Sequence, residues 1–161
     1  MHIDTTTAHA PKTEYLSFTV GGLEYGLDFR KVKELRVLQS LERFASDGEI
    51  ISGVAVSRGV IMPIVDMRAA FSGSPAAHRP DTDVIILALS SCVMGMVVDG
   101  VTDVVTLQPD QVAPIKMADG GPPADYLVGL GQTDGRRLIL IDIDRLMSVE
   151  RRTPASASQA A

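Results

Sequence analysis

Apolar and polar residues alternate one for one through Tyr15-Leu16-Ser17-Phe18-Thr19-Val20, the period of a strand with one buried face. Gly21-Gly22 is a turn signal and Leu23 to Leu27 resumes extended sequence, so the pattern predicts a hairpin. Asp28 is placed to cap a helix in which Phe29, Val32, Leu35 and Leu38 recur every third residue, with Arg30, Lys31, Lys33, Glu34 and Arg36 between them as a polar face. The spacing predicts a short helix there. Leu41 to Gly48 has no clear period.

Two strand-like apolar runs, at about 50 to 56 and 60 to 65, then meet at Ser57-Arg58-Gly59. Gly59 can supply a positive φ, and the turn lifts the Arg58 guanidinium above a neutral, β-rich surface. A solvated tip and a recognition residue both fit. Pro63 lacks an amide donor, which places it at a sheet edge or a bulge. Asp66 can cap a brief helix through Phe71, and the Gly/Pro/Ser-punctuated segment 72–81 is the best internal boundary.

Beyond it, Asp83 to Leu89 and Val93 to Val98 predict a second hairpin through Ser90-Ser91, and Val101 to Leu107 a further strand. Pro109, Pro114, Pro122 and Pro123 keep the next region irregular. Tyr126 to Gln132 and Arg137 to Ile141 pair around Asp134-Gly135, and Asp142 or Asp144 caps a terminal helix reaching roughly Glu150. About nine or ten short strands joined by hairpins favour barrels or a sandwich over a parallel sheet. A boundary near 72–82 divides residues 14–149 into two small β-lobes, the final strand being free to return to the first, between a leader over 1–13 and a flexible tail over 150–161.

Composition narrows the function. With 45% hydrophobic residues and a formal net charge of −5, the chain can bury a sizeable core but offers no basic surface for nucleic acid. The run Val84 to Leu89 is far short of the roughly 20 apolar residues that span a bilayer, so direct membrane insertion is not expected. The single Cys92 can form no intrachain disulfide and suits a reducing compartment, the cytoplasm. His2, His9, His78 and Cys92 lack zinc spacing, and no nucleophile elbow occurs. Gly129 to Gly135 lacks the dinucleotide spacing. Asp142/Asp144 and Asp81/Asp83 read as capping and loop carboxylates, Asp99 and Asp103 as turn chemistry, and Met62, Met94, Met96 and Met147 as core filler. No catalytic group, cofactor or metal is expected.

Four blocks carry a resemblance: GLEYGLDFRKVKELR, ISGVAVSRGVIMPIVDMR, MGMVVDGVTDVVTLQPDQVAP and YLVGLGQTDGRRLILIDIDRLM. In this order and at these separations they resemble the bacterial chemotaxis coupling protein CheW family, over nearly everything from Tyr15 to Met147. The resemblance implies two SH3-like, five-stranded barrels with short connecting helices and a C-terminal helix. It also implies a non-catalytic adaptor whose partners are chemoreceptor (methyl-accepting chemotaxis protein) tips and the regulatory domain of the histidine kinase CheA. By position it implies receptor binding at Arg58, Gly53, Val56 and Ser57, and receptor or kinase binding at Val32, Glu34 and Leu35. Val56-Ser57 replaces the Asn-Leu usual before the Arg-Gly pair, and FASDGEI replaces a Pro-rich, aromatic connector.

Overall fold

The structure, a computed structural model, describes residues 11–37, 40–45, 51–68 and 82–147. Its strands, in chain order, are β1 (Thr13–Val20), β2 (Leu23–Asp28), β3 (Val32–Val37), β4 (Glu42–Ala45), β5 (Ile51–Ser57), β6 (Val60–Asp66), β7 (Asp83–Ala88), β8 (Val93–Val97), β9 (Gly100–Leu107), β10 (Val112–Ala113), β11 (Leu127–Thr133) and β12 (Arg136–Ile141). They pair into two sheets, in the orders β10-β11-β12-β2-β1-β9 and β3-β7-β8-β6-β5-β4. The chain therefore begins in the first sheet, builds the whole of the second, and returns to the first. Two pairings are parallel, β12 with β2 and β6 with β8, and the others are antiparallel.

The predicted hairpins form where their turn residues place them. The helix predicted after Asp28 does not: Asp28 caps only a 3-10 turn over Phe29–Lys31, its Oδ1 accepting from the Arg30 amide at 2.9 Å, and β3 follows at once. A three-residue apolar spacing fits a helix, but β3 wins because it pairs with β7 from Val37↔Asp83 to Val32↔Leu87. A register shift between Val32 and Glu34 blurs its period of two. Each sheet has six strands rather than five; β4 falls where the sequence shows no clear period, and β10 is two residues long. Pro63 is on an interior strand, but β6 meets β8 only from Ile64 onward, so the proline stands where β5 alone is beside it.

Packing explains the uniformly apolar runs. Val84 and Ile86 of β7 cluster with Ala55, Met62, Ile64 and Val97 within the second sheet, whereas Ile85 and Leu87 belong to a larger cluster drawn from both sheets. That shared cluster also holds Phe18, Leu27, Met67, Met94, Met96, Ile141, Leu146 and Met147. Leu138 and Leu140 of β12 join Val105 and Leu107 in a third cluster within the first sheet, while Ile141 points into the shared one. Strands buried on both faces need apolar residues at consecutive positions. The four methionines expected in the core, Met62, Met94, Met96 and Met147, are all buried. Phe18 and Tyr25, opposite each other in β1 and β2, stack with ring centroids 5.7 Å apart.

Asp142 is the carboxylate that caps the terminal helix, accepting from the Arg145 amide at 3.2 Å; this helix begins at residue 143 and is described as far as 147. Asp144 instead ties Lys31, at 2.8 Å, to the amide and hydroxyl of Ser90. Asp66 accepts from the Arg68 amide at 3.0 Å as a cap would, and the two side chains form a buried ion pair; the predicted continuation to Phe71 lies outside the described residues, as does the 72–81 boundary. Asp103 is a β9 residue, not a turn residue, and shares Arg136 with Glu24 of β2.

Hydrogen bonds from Arg136 hold Glu24 below the usual carboxylate range against the opposing effect of burial, and likewise hold Asp103 low. Burial pushes Asp144 up, but bonds from Lys31 and Ser90 outweigh it and leave the net shift downward. These carboxyls bind protons less readily folded than unfolded, so their stabilisation is complete above the unfolded values near pH 4 and is lost as pH falls through the lower folded ones. The thermal midpoint should fall on acidification below about pH 4, and Glu24→Gln should flatten that dependence; an unchanged slope in the variant would exclude Glu24 as a contributor.

Gly129 supplies a second test. A Cβ there would lie 2.7 Å from Val112 Cγ1 and 2.9 Å from the Ala113 carbonyl oxygen, and the latter is backbone. Gly129→Ala should cost about 1–3 kcal/mol in denaturant unfolding by forcing β10 off β11. A neutral result would mean that β10 yields freely.

Candidate functional site

The β5–β6 turn has φ of 53° at Arg58 and 78° at Gly59, so both central residues are left-handed, the geometry of a type I′ hairpin. The β11–β12 turn repeats it with 50° at Asp134 and 76° at Gly135. Asp-Gly is what such a turn selects, whereas a long side chain in the left-handed region costs roughly 1–2 kcal/mol. Turn chemistry thus accounts for Asp134 but not for Arg58. The Arg58 side chain is 78% exposed.

β3 ends its sheet, and its alternation puts Glu34 and Arg36 on one face. Glu34 Oε2 lies 3.5 Å from Arg58 Nη1, and Oε1 lies 3.3 Å from Arg36 Nη1. The Arg58 contact joins the β5–β6 turn to β3, near opposite ends of the strand order. Beneath it is a hollow of about 80 Å³ lined by Lys33, Glu34, Arg58, Val60, Met62, Ile86 and Val93. Small-molecule pockets run to roughly 300–1,000 Å³, so this place is suited to a side chain of a macromolecular partner. Val60 and Ile61 stand beside the turn, 48% and 70% exposed, and Leu35 of β3 is 47% exposed.

Of the residues singled out in the sequence, the structure brings together Glu34 and Arg58. Val56 is half-buried one turn position away, and the Ser57 side chain lies outside the described residues. Gly53 pairs with Ala45 and Ile64 further along β5, about 16 Å from Arg58 at the rise of a strand. Val32 is half-buried against the core shared by the two sheets, and so belongs to a different place from Arg58. No local pattern marks Lys33, Val60, Met62, Ile86 and Val93 as site residues, because the helical spacing of β3 conceals its approach to the hairpin. The exposed apolar pair Val60-Ile61, directly after the turn, was the available signal.

Two other hollows differ in character. One of about 310 Å³ is lined by Tyr15, Asp28, Lys31, Val128 and residues 141–145, with Lys31 and Asp144 paired across it. The other, about 490 Å³, is an apolar groove formed by Tyr25, Pro114, Ile115, Lys116, Tyr126, Leu127, Leu130 and Ile139. Among the described residues no group of His, Cys, Asp and Glu could hold a metal ion, and no helix is long and apolar enough to cross a membrane.

The model of the CheW-like domain family matches residues 14–151. The chain is 42% identical to chemotaxis protein CheW of Klebsiella aerogenes over 137 residues, covering 85% of this chain and 82% of that protein. It is 26% identical to protein FrzA of Myxococcus xanthus over 143 residues, covering 88% and 89%. The crystal structure of scaffolding protein TtCheW from Thermoanaerobacter tengcongensis superposes with a TM-score of 0.69 at 23% identity, over 82% of this chain and 90% of that one. The fold is thus the mainly β, two-barrel SH3-like one that the resemblance implied.

The turn geometry yields its own prediction. Arg58→Asn places a residue tolerant of the left-handed region at the tip and removes one exposed ion pair worth about 0–1 kcal/mol, so stability to urea should be unchanged or raised by up to about 1 kcal/mol. A clear loss of stability would make Arg58 a structural residue.

Proposed function

The chain belongs to the CheW-like family, and on that premise we propose that it is a non-catalytic adaptor coupling chemoreceptor tips to the regulatory domain of the histidine kinase CheA. It works in the cytoplasm, recruited to membrane-anchored receptor arrays through these partners. Arg58 is the observation that carries the reading: the guanidinium stands exposed on a turn whose backbone disfavours it, with apolar Val60 and Ile61 beside it. A helical receptor tip would lay its apolar face beside the turn on Val60, which lines the hollow, and a carboxylate of that tip would take charge-assisted hydrogen bonds from Arg58, while Leu35 and Ile61, alternating to the other faces of β3 and β6, would serve a separate receptor or kinase contact. Val56 and Ser57 carry the hairpin arm. Glu34, with its two oxygens between arginines, steers the arm. Gly53 and Val32 would contribute at separate places on the same protein, Gly53 by keeping β5 free of a side chain and Val32 beside the shared core.

Single contacts of this kind need only be micromolar, about −8 kcal/mol, because an adaptor held in an array gains from multivalency. A second reading, in which the same coupling serves a chemotaxis-like pathway with a non-flagellar output, stays open because one relative, protein FrzA, does not carry the chemotaxis name.

Reconstitution with cognate receptor and CheA tests the proposal: the chain should form a ternary complex and restore receptor control of CheA autophosphorylation. Absence of both results would refute it. In the same assay Arg58→Asn, or Arg58→Ala, should weaken receptor capture while leaving kinase binding near normal. If the guanidinium pairs with a carboxylate buried in the complex the loss should be roughly 2–5 kcal/mol, against about 0–1 for a solvated rim contact. Unchanged receptor affinity removes Arg58 from the docking surface.

A further inference from the structure

The chain passes from the first sheet to the second through Phe29–Lys31 and returns through residues 98–99. The two crossings are fastened differently. At the return, Val98 and Val101 donate their amides to Asp83 of β7, the first to its carbonyl at 3.2 Å and the second to Oδ2 at 2.8 Å. Asp99, between them, donates its amide to the Thr19 carbonyl at 3.0 Å and takes the Gly21 amide on Oδ2 at 2.7 Å. Backbone groups thus hold the return crossing to the second sheet on one side and to the β1–β2 hairpin on the other.

At the outward crossing a side chain does this work. Asp144, in the first turn of the terminal helix, takes Lys31 Nζ on Oδ2 at 2.8 Å, and on Oδ1 the Ser90 amide at 2.9 Å and hydroxyl at 3.1 Å. One carboxylate therefore ties the crossing, the helix that follows β12 and the β7–β8 turn of the second sheet. The tie is thin. Lys31 and Asp144 are 38% and 24% exposed, and their pair spans the hollow of about 310 Å³. An ion pair this exposed opens readily and weakens with salt. Between the sheets, the shared core contains Met67, Met94, Met96 and Met147, unbranched side chains that repack as their neighbours shift.

We propose that the Lys31–Asp144–Ser90 contact is a releasable clasp on the angle between the two sheets: closed, it fixes that angle, and open, it lets the sheets rock about the backbone-fastened crossing at 98–99. A partner that touches both sheets and binds the two angles with unequal affinity would shift their populations, so that contact with one sheet is registered by the other.

Residual dipolar couplings, fitted separately for the two sheets of the isolated protein, test the clasp. At low salt one alignment tensor should describe both sheets of the native chain, and the tensors should diverge in Lys31→Met and in Asp144→Asn. Salt at about 0.5 M should produce the same divergence in the native chain and add little in Lys31→Met. A common tensor in Lys31→Met, or tensors that already differ in the native chain at low salt, would overturn the proposal. Hydrogen exchange separates a local release from a general loss of stability: the Ser90 amide should exchange up to about fivefold faster in Lys31→Met while the β11 and β12 amides keep their native rates. Equal acceleration in all of them would refute the clasp. Should Asp144→Asn fail to fold, the exposed Lys31→Met change and the salt response decide the matter.

Discussion

The structure depends on apolar surface shared between its two sheets. Each sheet has a small cluster of its own, but Phe18 and Leu27 from one and Ile85, Leu87, Met94 and Met96 from the other bury their side chains in a common core. At roughly 1.5–3 kcal/mol for each large apolar side chain removed from water, this packing outweighs the exposed ion pairs, which contribute about 0–1 kcal/mol apiece. The terminal helix adds Ile143, Leu146 and Met147 to the same core, and thus seals the junction instead of standing apart. Asp66 and Arg68 flank the fully buried Met67, and their mutual pairing is what permits charge so close to that core.

The candidate site lies away from this junction, on elements that packing leaves free. β3 ends its sheet, and an edge strand carrying Lys33, Glu34 and Arg36 is protected by charge from joining the wrong neighbour. Those charges stand opposite the tip of the β5–β6 hairpin. The rigid side of the site is therefore a strand held by β7, and the adaptable side is one arginine on a two-residue turn. A partner would meet the Glu34 carboxylate and an exposed cation together.

Much of this was legible in the sequence because turn residues and alternation are local signals. Gly21-Gly22, Arg58-Gly59 and Asp134-Gly135 mark hairpins that the structure contains. β3 was not legible: Phe29, Val32 and Leu35 fit a helical spacing, and only pairing with a distant β7 decides for a strand. β4 and β10 are short and owe their existence to β5 and β11. The candidate site suffered the same way. Arg58 could be found from its turn and its block, but its pairing with Glu34 requires an edge strand and a hairpin near the far end of the sheet order to meet, which no local pattern encodes.

The path of the chain has a consequence for its assembly. Every strand of the second sheet lies between β3 and β8, so that sheet can pair fully as soon as residue 97 is available. The first sheet cannot, because β2 waits for β12, with Tyr25 opposite Ile139. During synthesis the sheet bearing Arg58 can form while β1 and β2 each still lack one of their two neighbours, β9 and β12, and closing the first sheet requires the slow search of a long-range contact. The half of the molecule that bears Arg58 is then the early-folding half, and the last strands to be made complete the half that supports it.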